Sequence, residues 1–329
     1  MVSETANGSG GGTWQRFPVR RIEDLRNAVL GAELETMQLS GPPLRGSLAF
    51  SASRGIVIST GVIGGMVGLR GVLARDAVTL LLCLTPGHGS RLWLDTIRQG
   101  DTAAVLPDCE VDAIFSPRTA YVAVTLAQDR LRNEVTRSGQ RIDPTAFACA
   151  RSRGARVRPP QLEEVTRQVA LIHRAAFHEV QPGFDRAVLA LLLGQLASAE
   201  TAAEVSGPGR RAEVIGKARD YIHGHISEPI RISDLVRATG ASARTIHRSF
   251  REILEDTPQG YVRRARLHAV RRDLLSQWET AGGIRDAAAR WGSASDPGRL
   301  AARYRALFGE TPSETLAAAR EQARGREWM

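Results

Sequence analysis

Four basic side chains, Arg244, His247, Arg248 and Arg251, recur at the spacing that gathers them on one face of a helix. Ile246, Phe250, Ile253 and Leu254 fall on the opposite face. A guanidinium can donate two parallel hydrogen bonds to guanine, and arginine or histidine can also meet phosphate. An apolar face fixed to a core, with a basic face turned outward, is what a helix reading the DNA major groove requires. On a lone helix the same charges would more simply be a solvated face. The decision rests on the elements around it.

Those elements are repeated. The stretch from Ile232 to Ser242 aligns with that from Ile284 to Ala294 at an offset of 52 residues, with Ile, Asp and Gly coinciding. Each copy reads as a short helix, a glycine and a longer helix, which is helix-turn-helix geometry occurring twice. Gly240 and Gly292 suit the left-handed residue that ends a helix and turns the chain. In the first copy Ser233 is expected to cap the short helix and Ser242 the longer one. In the second, Ser295 or Asp296 caps a helix whose first turn holds Pro297. There Leu300, Tyr304, Leu307 and Phe308 face inward and Arg299 and Arg303 outward. Between the copies a helix is expected from Pro258 to about Ser276. At about 1.5 Å per residue it spans roughly 28 Å, close to one turn of B-DNA at about 34 Å. Two reading helices set so far apart fit successive major grooves.

Charge points the same way. The chain has 329 residues and a formal net charge of +9. From Arg210 onward there are 22 Lys and Arg against 15 Asp and Glu, leaving only +2 for the preceding residues. A basic excess held in one region is expected of a domain that meets a polyanion. Hydrophobic residues at 43% and charged residues at 24% fit a globular chain rather than a disordered one. Apolar runs are too short for a membrane span, and the first residues lack the pattern of a secretory signal. Cys83, Cys109 and Cys149 lack the spacing of a zinc site or a disulfide framework. The expectation is a cytoplasmic protein.

The first half has a different texture. Gly55–Ile63, Val78–Leu84, Ala103–Leu106 and Tyr121–Leu126 are short apolar segments, many with Val, Ile or Thr, separated by Gly, Pro and Asp. They predict a sandwich or barrel of short strands. The turn Gly100-Asp101 followed by an apolar strand resembles the central hairpin of cupin-type jelly rolls. After Pro159-Pro160, Leu162, Val165, Val169, Ile172 and Ala176 mark one helix. Val188, Leu191, Leu192, Gln195 and Ala199 mark a second. This hairpin either packs on the sheet or forms a dimer surface. The expected division is a flexible tail (1–13), a cupin-like sensor domain (14–158), the hairpin (159–205), a linker (206–212) and a DNA-binding domain (213–322).

The last hundred residues resemble the DNA-binding domain of the AraC/XylS family of bacterial transcription regulators. The resemblance is carried by Ile232-x-Asp-Leu235, Gly240-x-Ser242, Arg248-x-Phe250, Pro258-x-x-Tyr261, Arg266-Leu267, Ala269-x-Arg271-x-x-Leu274-Leu275 and Tyr304-x-x-x-Phe308-Gly309-x-x-Pro312-Ser313. It implies a multidomain α+β protein, with an N-terminal cupin-like jelly roll and helical hairpin before an all-α double helix-turn-helix domain. It also implies that Ser242, Arg244, His247, Arg248, Arg251, Arg299 and Arg303 form the DNA-contacting set. The implied partners are double-stranded DNA, a second copy of the chain, RNA polymerase for an activator, and a small-molecule effector. Two departures stand out: the family usually has an aromatic where Ser293 stands, and often one where Leu300 stands. The second unit is therefore expected to pack more loosely and read fewer bases.

Two rival functions follow from other features. A cupin-like metal enzyme would need clustered ligands, and His88 has no neighbouring HxH or HxxxE partner. Cys109 and Cys149 have no local histidine to make either a nucleophile. An architectural DNA binder would depend on salt and hardly on sequence. The expectation is a non-enzyme without cofactor, metal or catalytic residue.

Overall fold

Short strands rich in β-branched residues and separated by turns build the first part of the chain; amphipathic helices build the rest. The computed structural model describes residues 4–6, 13–41, 44–139, 151–197, 209–276, 283–292 and 297–327. The chain divides into two units, one of Met1–Thr36 and Leu44–Gly207, the other of Met37–Pro43 and Pro208–Met329.

The strands, all in the first unit but for the last two residues of β3, are β1 (Glu4–Ala6), β2 (Trp14–Val19), β3 (Glu33–Gln38), β4 (Gly46–Ser53), β5 (Ile56–Ile63), β6 (Val67–Val72) and β7 (Ala77–Thr85). They continue with β8 (Arg91–Leu92), β9 (Asp95–Thr96), β10 (Thr102–Val105), β11 (Glu110–Phe115), β12 (Thr119–Ala127) and β13 (Arg151–Gly154). One sheet has the order β1-β2-β4-β5-β12-β7-β10-β13 and the other β3-β6-β11-β8-β9. The paired strands are antiparallel, as in β12 against β5 and β7 and in β11 against β6. The four strands expected from sequence are β5, β7, β10 and β12.

Alternation along these strands serves two faces. Leu80, Leu82 and Leu84 of β7 and Val122, Val124 and Leu126 of β12 join an apolar cluster with the helices α2 (Pro159–His173) and α3 (Phe184–Ala197). Leu162, Val165, Val169, Ile172, Val188 and Leu192 are the helices' share of that cluster. The apolar stripe of the hairpin is thus spent on the sheet. His173 fastens α2 there: its Nδ1 is 2.6 Å from Ser47 Oγ and its Nε2 3.0 Å from Thr60 Oγ1. Burial lowers its pKa to about 4, so near neutral pH the ring is uncharged and joins the two hydroxyls as donor and acceptor.

In this unit the helix α1 (Gln128–Ser138) was not expected. Its signals are local and polar: Asp129 in the first turn, the Arg130–Glu134 pair at 2.8 Å, and Gly139 in a left-handed cap. The strand pattern on either side hid them.

The second unit is helical: α4 (Arg210–Gly224), α5 (Ile232–Thr239), α6 (Ala243–Leu254), α7 (Pro258–Ser276), α8 (Ile284–Arg290), α9 (Pro297–Phe308) and α10 (Pro312–Glu327). Residues 210–212, expected in the linker, already belong to α4. No helix among the described residues is long and apolar enough to cross a membrane.

Candidate nucleic-acid interface

The two short helices, α5 and α8, start 52 residues apart, at the repeat read from sequence. Gly240 ends α5 with φ of 68°, and Gly292 follows α8 with φ of 62°. Both lie in the left-handed region that side chains disfavour. Ser242 caps α6 by accepting from Thr245 N at 3.2 Å. Ser233 does not cap α5. That helix begins one residue earlier, at Ile232, and its N-terminal amide at Arg231 donates to Asp234 Oδ2 at 2.9 Å. Ser233 therefore stands inside the first turn, where the Asp234 carboxylate also suits the helix dipole. Ser293, Ser295 and Asp296 lie outside the described residues, as does Cys149.

Helix α6 buries Ile246, Phe250, Ile253 and Leu254 and exposes Arg244, Arg248 and Arg251, with His247 half-buried beside them. The Phe250 ring meets Tyr261 of α7 edge-on, with centroids 5.7 Å apart. Tyr261 OH in turn accepts from Arg219 Nε of α4 at 3.1 Å. Helix α9 buries Leu300, Tyr304 and Leu307 and exposes Arg299 and Arg303. The predicted residues thus form two basic helix faces in one unit, each with the guanidinium spacing of adjacent turns. Such faces can donate to phosphates and to base edges.

Residues 235–318 match the family model described as a helix-turn-helix domain. A 103-residue segment is 32% identical to the probable thc operon regulatory protein of Rhodococcus erythropolis, covering 31% of each chain. Another of 136 residues is 32% identical to the regulatory protein HrpB of Ralstonia nicotianae, covering 40% of this chain and 26% of that one. The chain spans about a third or less of the length of these two curated relatives. A solved structure of a probable AraC family transcriptional regulator from Rhodopseudomonas palustris is 35% identical over 32% of this chain and 96% of that one, with a TM-score of 0.30. The chain belongs, through this domain, to the AraC/XylS family.

In the second unit of this AraC/XylS-type domain, other residues supply part of the aromatic area that the sequence lacks at Ser293 and Leu300. Leu300 is buried, and Tyr304 is fully so. The aromatic missing after Gly292 has a counterpart just before it: Trp291 packs against the same cluster, and Arg272 lies 5.6 Å over its ring. Below them runs a polar network. Arg271 NH1 donates to Glu310 Oε1 at 2.6 Å and to Thr315 Oγ1 at 3.2 Å, and its guanidinium lies 4.7 Å from the Phe308 ring. Asp273 Oδ2 accepts from Arg290 NH1 at 2.6 Å and Trp291 Nε1 at 2.8 Å. Desolvation raises the Tyr304 pKa to about 12, which keeps its hydroxyl a neutral member of the network.

Two further groups escaped the sequence reading. Arg266 of α7 donates from Nε to Ile226 O at 3.1 Å, from NH2 to Glu228 O, and from NH1 to Gly292 O at 3.4 Å. One guanidinium thereby ties the chain entering α5 to the turn after α8. Nothing local to Arg266 signals this, because its partners lie 26 to 40 residues away. Glu252, the second, did carry a local signal, since it follows Arg248 by one turn. Its carboxylate accepts from Arg248 Nε at 2.7 Å and from Arg211 NH1 of α4 at 2.5 Å. The Arg248 bond is the main reason its pKa falls below the usual carboxylate value.

Proposed function

We propose that the chain is a sequence-specific DNA-binding transcription regulator whose two helix-turn-helix units enter successive major grooves. The observation that carries this reading is the pair of exposed arginine faces, Arg244, Arg248 and Arg251 on α6 and Arg299 and Arg303 on α9, on helices whose other faces are buried. Ser242 and His247 complete the set, the serine by fixing the start of α6. The 19 residues of α7 span roughly 28 Å, which suits adjacent grooves on one side of the duplex. The first unit is the proposed sensor, responding to a small molecule or partner. A second copy of the chain and, for an activator, RNA polymerase are the further proposed partners.

The test is enrichment of fragments from the organism's own genome by the full-length protein, beside a variant carrying Arg244→Ala and Arg248→Ala. A short list of recurrent sites, lost in the variant, is expected. Uniform enrichment of all fragments would instead identify an architectural binder.

A further inference from the structure

The interior between the two sheets is not filled. A cavity of about 70 Å³ lies there, bounded by Leu81, Cys83 and Ala103 of one sheet and Leu69, Val111 and Ala113 of the other. Tyr121, Thr102, Thr119 and Asp101 are the polar groups on its wall. Each is already engaged with the protein. Tyr121 OH donates to Ala28 O, and Thr102 Oγ1 to Ala155 O at 3.0 Å. Thr119 Oγ1 donates to Ser116 O at 2.7 Å and accepts from Gly87 N at 3.1 Å. Asp101 takes Arg156 Nε on one oxygen at 2.9 Å and Arg98 N on the other at 2.8 Å. Among the described residues no lysine, arginine or histidine lines the cavity, and its neighbour Arg156 is paired with that same Asp101.

We infer that this cavity binds a small uncharged apolar molecule, which names the chemistry of the effector and rests on the regulator reading above. An anion would leave water for a wall that offers it no positive charge and no spare strong donor, and a cation would find the single carboxylate on that wall, Asp101, already paired with Arg156; neither loss of hydration is offset there. An apolar ligand gives up only unfavourable hydration and gains close contacts. The Cys83 thiol fits this character, because burial pushes its pKa up to about 12 and leaves it neutral. Size narrows the class further. A cavity of about 150 Å³ lined by aliphatic side chains admits benzene, so the space of about 70 Å³ here takes part of one ring or a short alkyl chain. The half-buried Leu81, Leu92 and Phe115 mark a mouth through which the remainder can extend.

The experiment titrates the full-length protein with toluene and with benzoate, which share a ring and differ by a charge, and reads calorimetric binding and the thermal midpoint. Toluene should bind and raise the midpoint, with benzoate at least tenfold weaker. Ala103→Leu and Ala113→Leu fill the cavity from opposite sheets. Whichever variant keeps the native circular dichroism should bind toluene at least tenfold more weakly. If neither folds, Leu69→Phe at the same wall supplies the measurement. Absent toluene binding, benzoate binding of equal strength, or undiminished toluene binding in a folded filled variant overturns the inference. Binding to the enriched genomic fragments, measured on the same samples, separates the two readings: intact DNA binding without toluene binding sinks only the effector chemistry, and absent DNA binding sinks the regulator.

Discussion

The two helix-turn-helix units share a pattern and are held together by different physics. In the first, α6 is seated mainly by hydrocarbon: Ile246 and Phe250 are fully buried, and Ile253 and Leu254 nearly so, with the buried Arg219 reaching the Tyr261 hydroxyl behind them. In the second, α9 rests partly on charge, with Arg271 and Asp273 both buried within α7 and paired to groups on the elements around it. Apolar contacts add up from many small, non-directional terms. A buried ionic network is worth much only while every member is satisfied. The same fold is therefore tolerant in one half and conditional in the other.

The largest effects should come from removing one seat at a time. Phe250→Ala empties the core of the first unit and is expected to cost about 3–5 kcal/mol. Arg271→Met keeps a long stem but leaves Glu310 without its opposite charge, with the Thr315 hydroxyl still bonded to it, at about 3 kcal/mol. The two should differ in kind. Hydrogen exchange on the full chain should show opening centred on α6 for the first variant and on α9 and α10 for the second. Adding Glu310→Gln to Arg271→Met should recover part of the loss, since the stranded charge is gone. No recovery would mean that the network contributes by shape alone.

Next comes the tie between the units. Arg266→Met removes donors to three carbonyls and nothing from the exposed arginine faces. Hydrogen bonds from charged groups run to about 1.5–3 kcal/mol, and partial exposure of Arg266 places the expected loss of stability near the lower end, about 1.5 kcal/mol. The informative measurement is DNA binding. Affinity for a complete site should drop about tenfold while each half-site alone is bound as before, because the helices lose their fixed relation. An equal drop on isolated half-sites would make Arg266 a local structural residue instead.

What was legible in the sequence was what is periodic. The offset repeat, the two glycines, the Ser242 cap and the ends of α7 follow from spacing and from residues with strong conformational preferences. The polarity of the α6 and α9 faces followed too. The links that decide rigidity did not, because Arg266, Arg271, Asp273 and His173 act on partners distant in sequence, and a buried arginine is spelled like an exposed one. Trp291 shows the same limit. The family pattern looks for an aromatic after the glycine, and here the ring reaches that cluster from the residue before it. Arg244, Arg248, Arg251, Arg299 and Arg303 stand on exposed helix faces, as their spacing in the sequence implied.

If the second unit is held as firmly as its network implies, both arginine sets should read bases. Arg248→Ala and Arg303→Ala are each expected to cost about 1–3 kcal/mol on the complete site if the lost contact is to a base. Each should relax preference only in its own half. Selection of randomised duplexes by the two variants measures this directly. Relaxation with Arg248→Ala alone, and a sequence-independent loss with Arg303→Ala, would restore the unequal division that Ser293 and Leu300 first suggested.

The smallest effect concerns Glu252, a carboxylate set among the exposed arginines of α6. Glu252 holds Arg248 Nε and Arg211 NH1 at once, yet all three side chains are substantially exposed, so the pairs themselves add little stability. Their influence is on binding, in two opposing ways. The negative charge repels phosphate and occupies a donor of Arg248; the same bond also restricts the guanidinium before DNA arrives. Glu252→Gln removes the charge and keeps an acceptor. Because Arg248 already holds the carboxylate pKa low, the charge is present throughout the neutral range and its removal should be felt at every pH there. Expected is a modest, sequence-independent gain in affinity that fades as salt rises, since it comes from phosphate attraction. Base preference in the first half-site should be unchanged. If preference is relaxed instead, Glu252 serves chiefly to aim Arg248, and the first unit too depends on an ionic contact rather than on hydrocarbon alone.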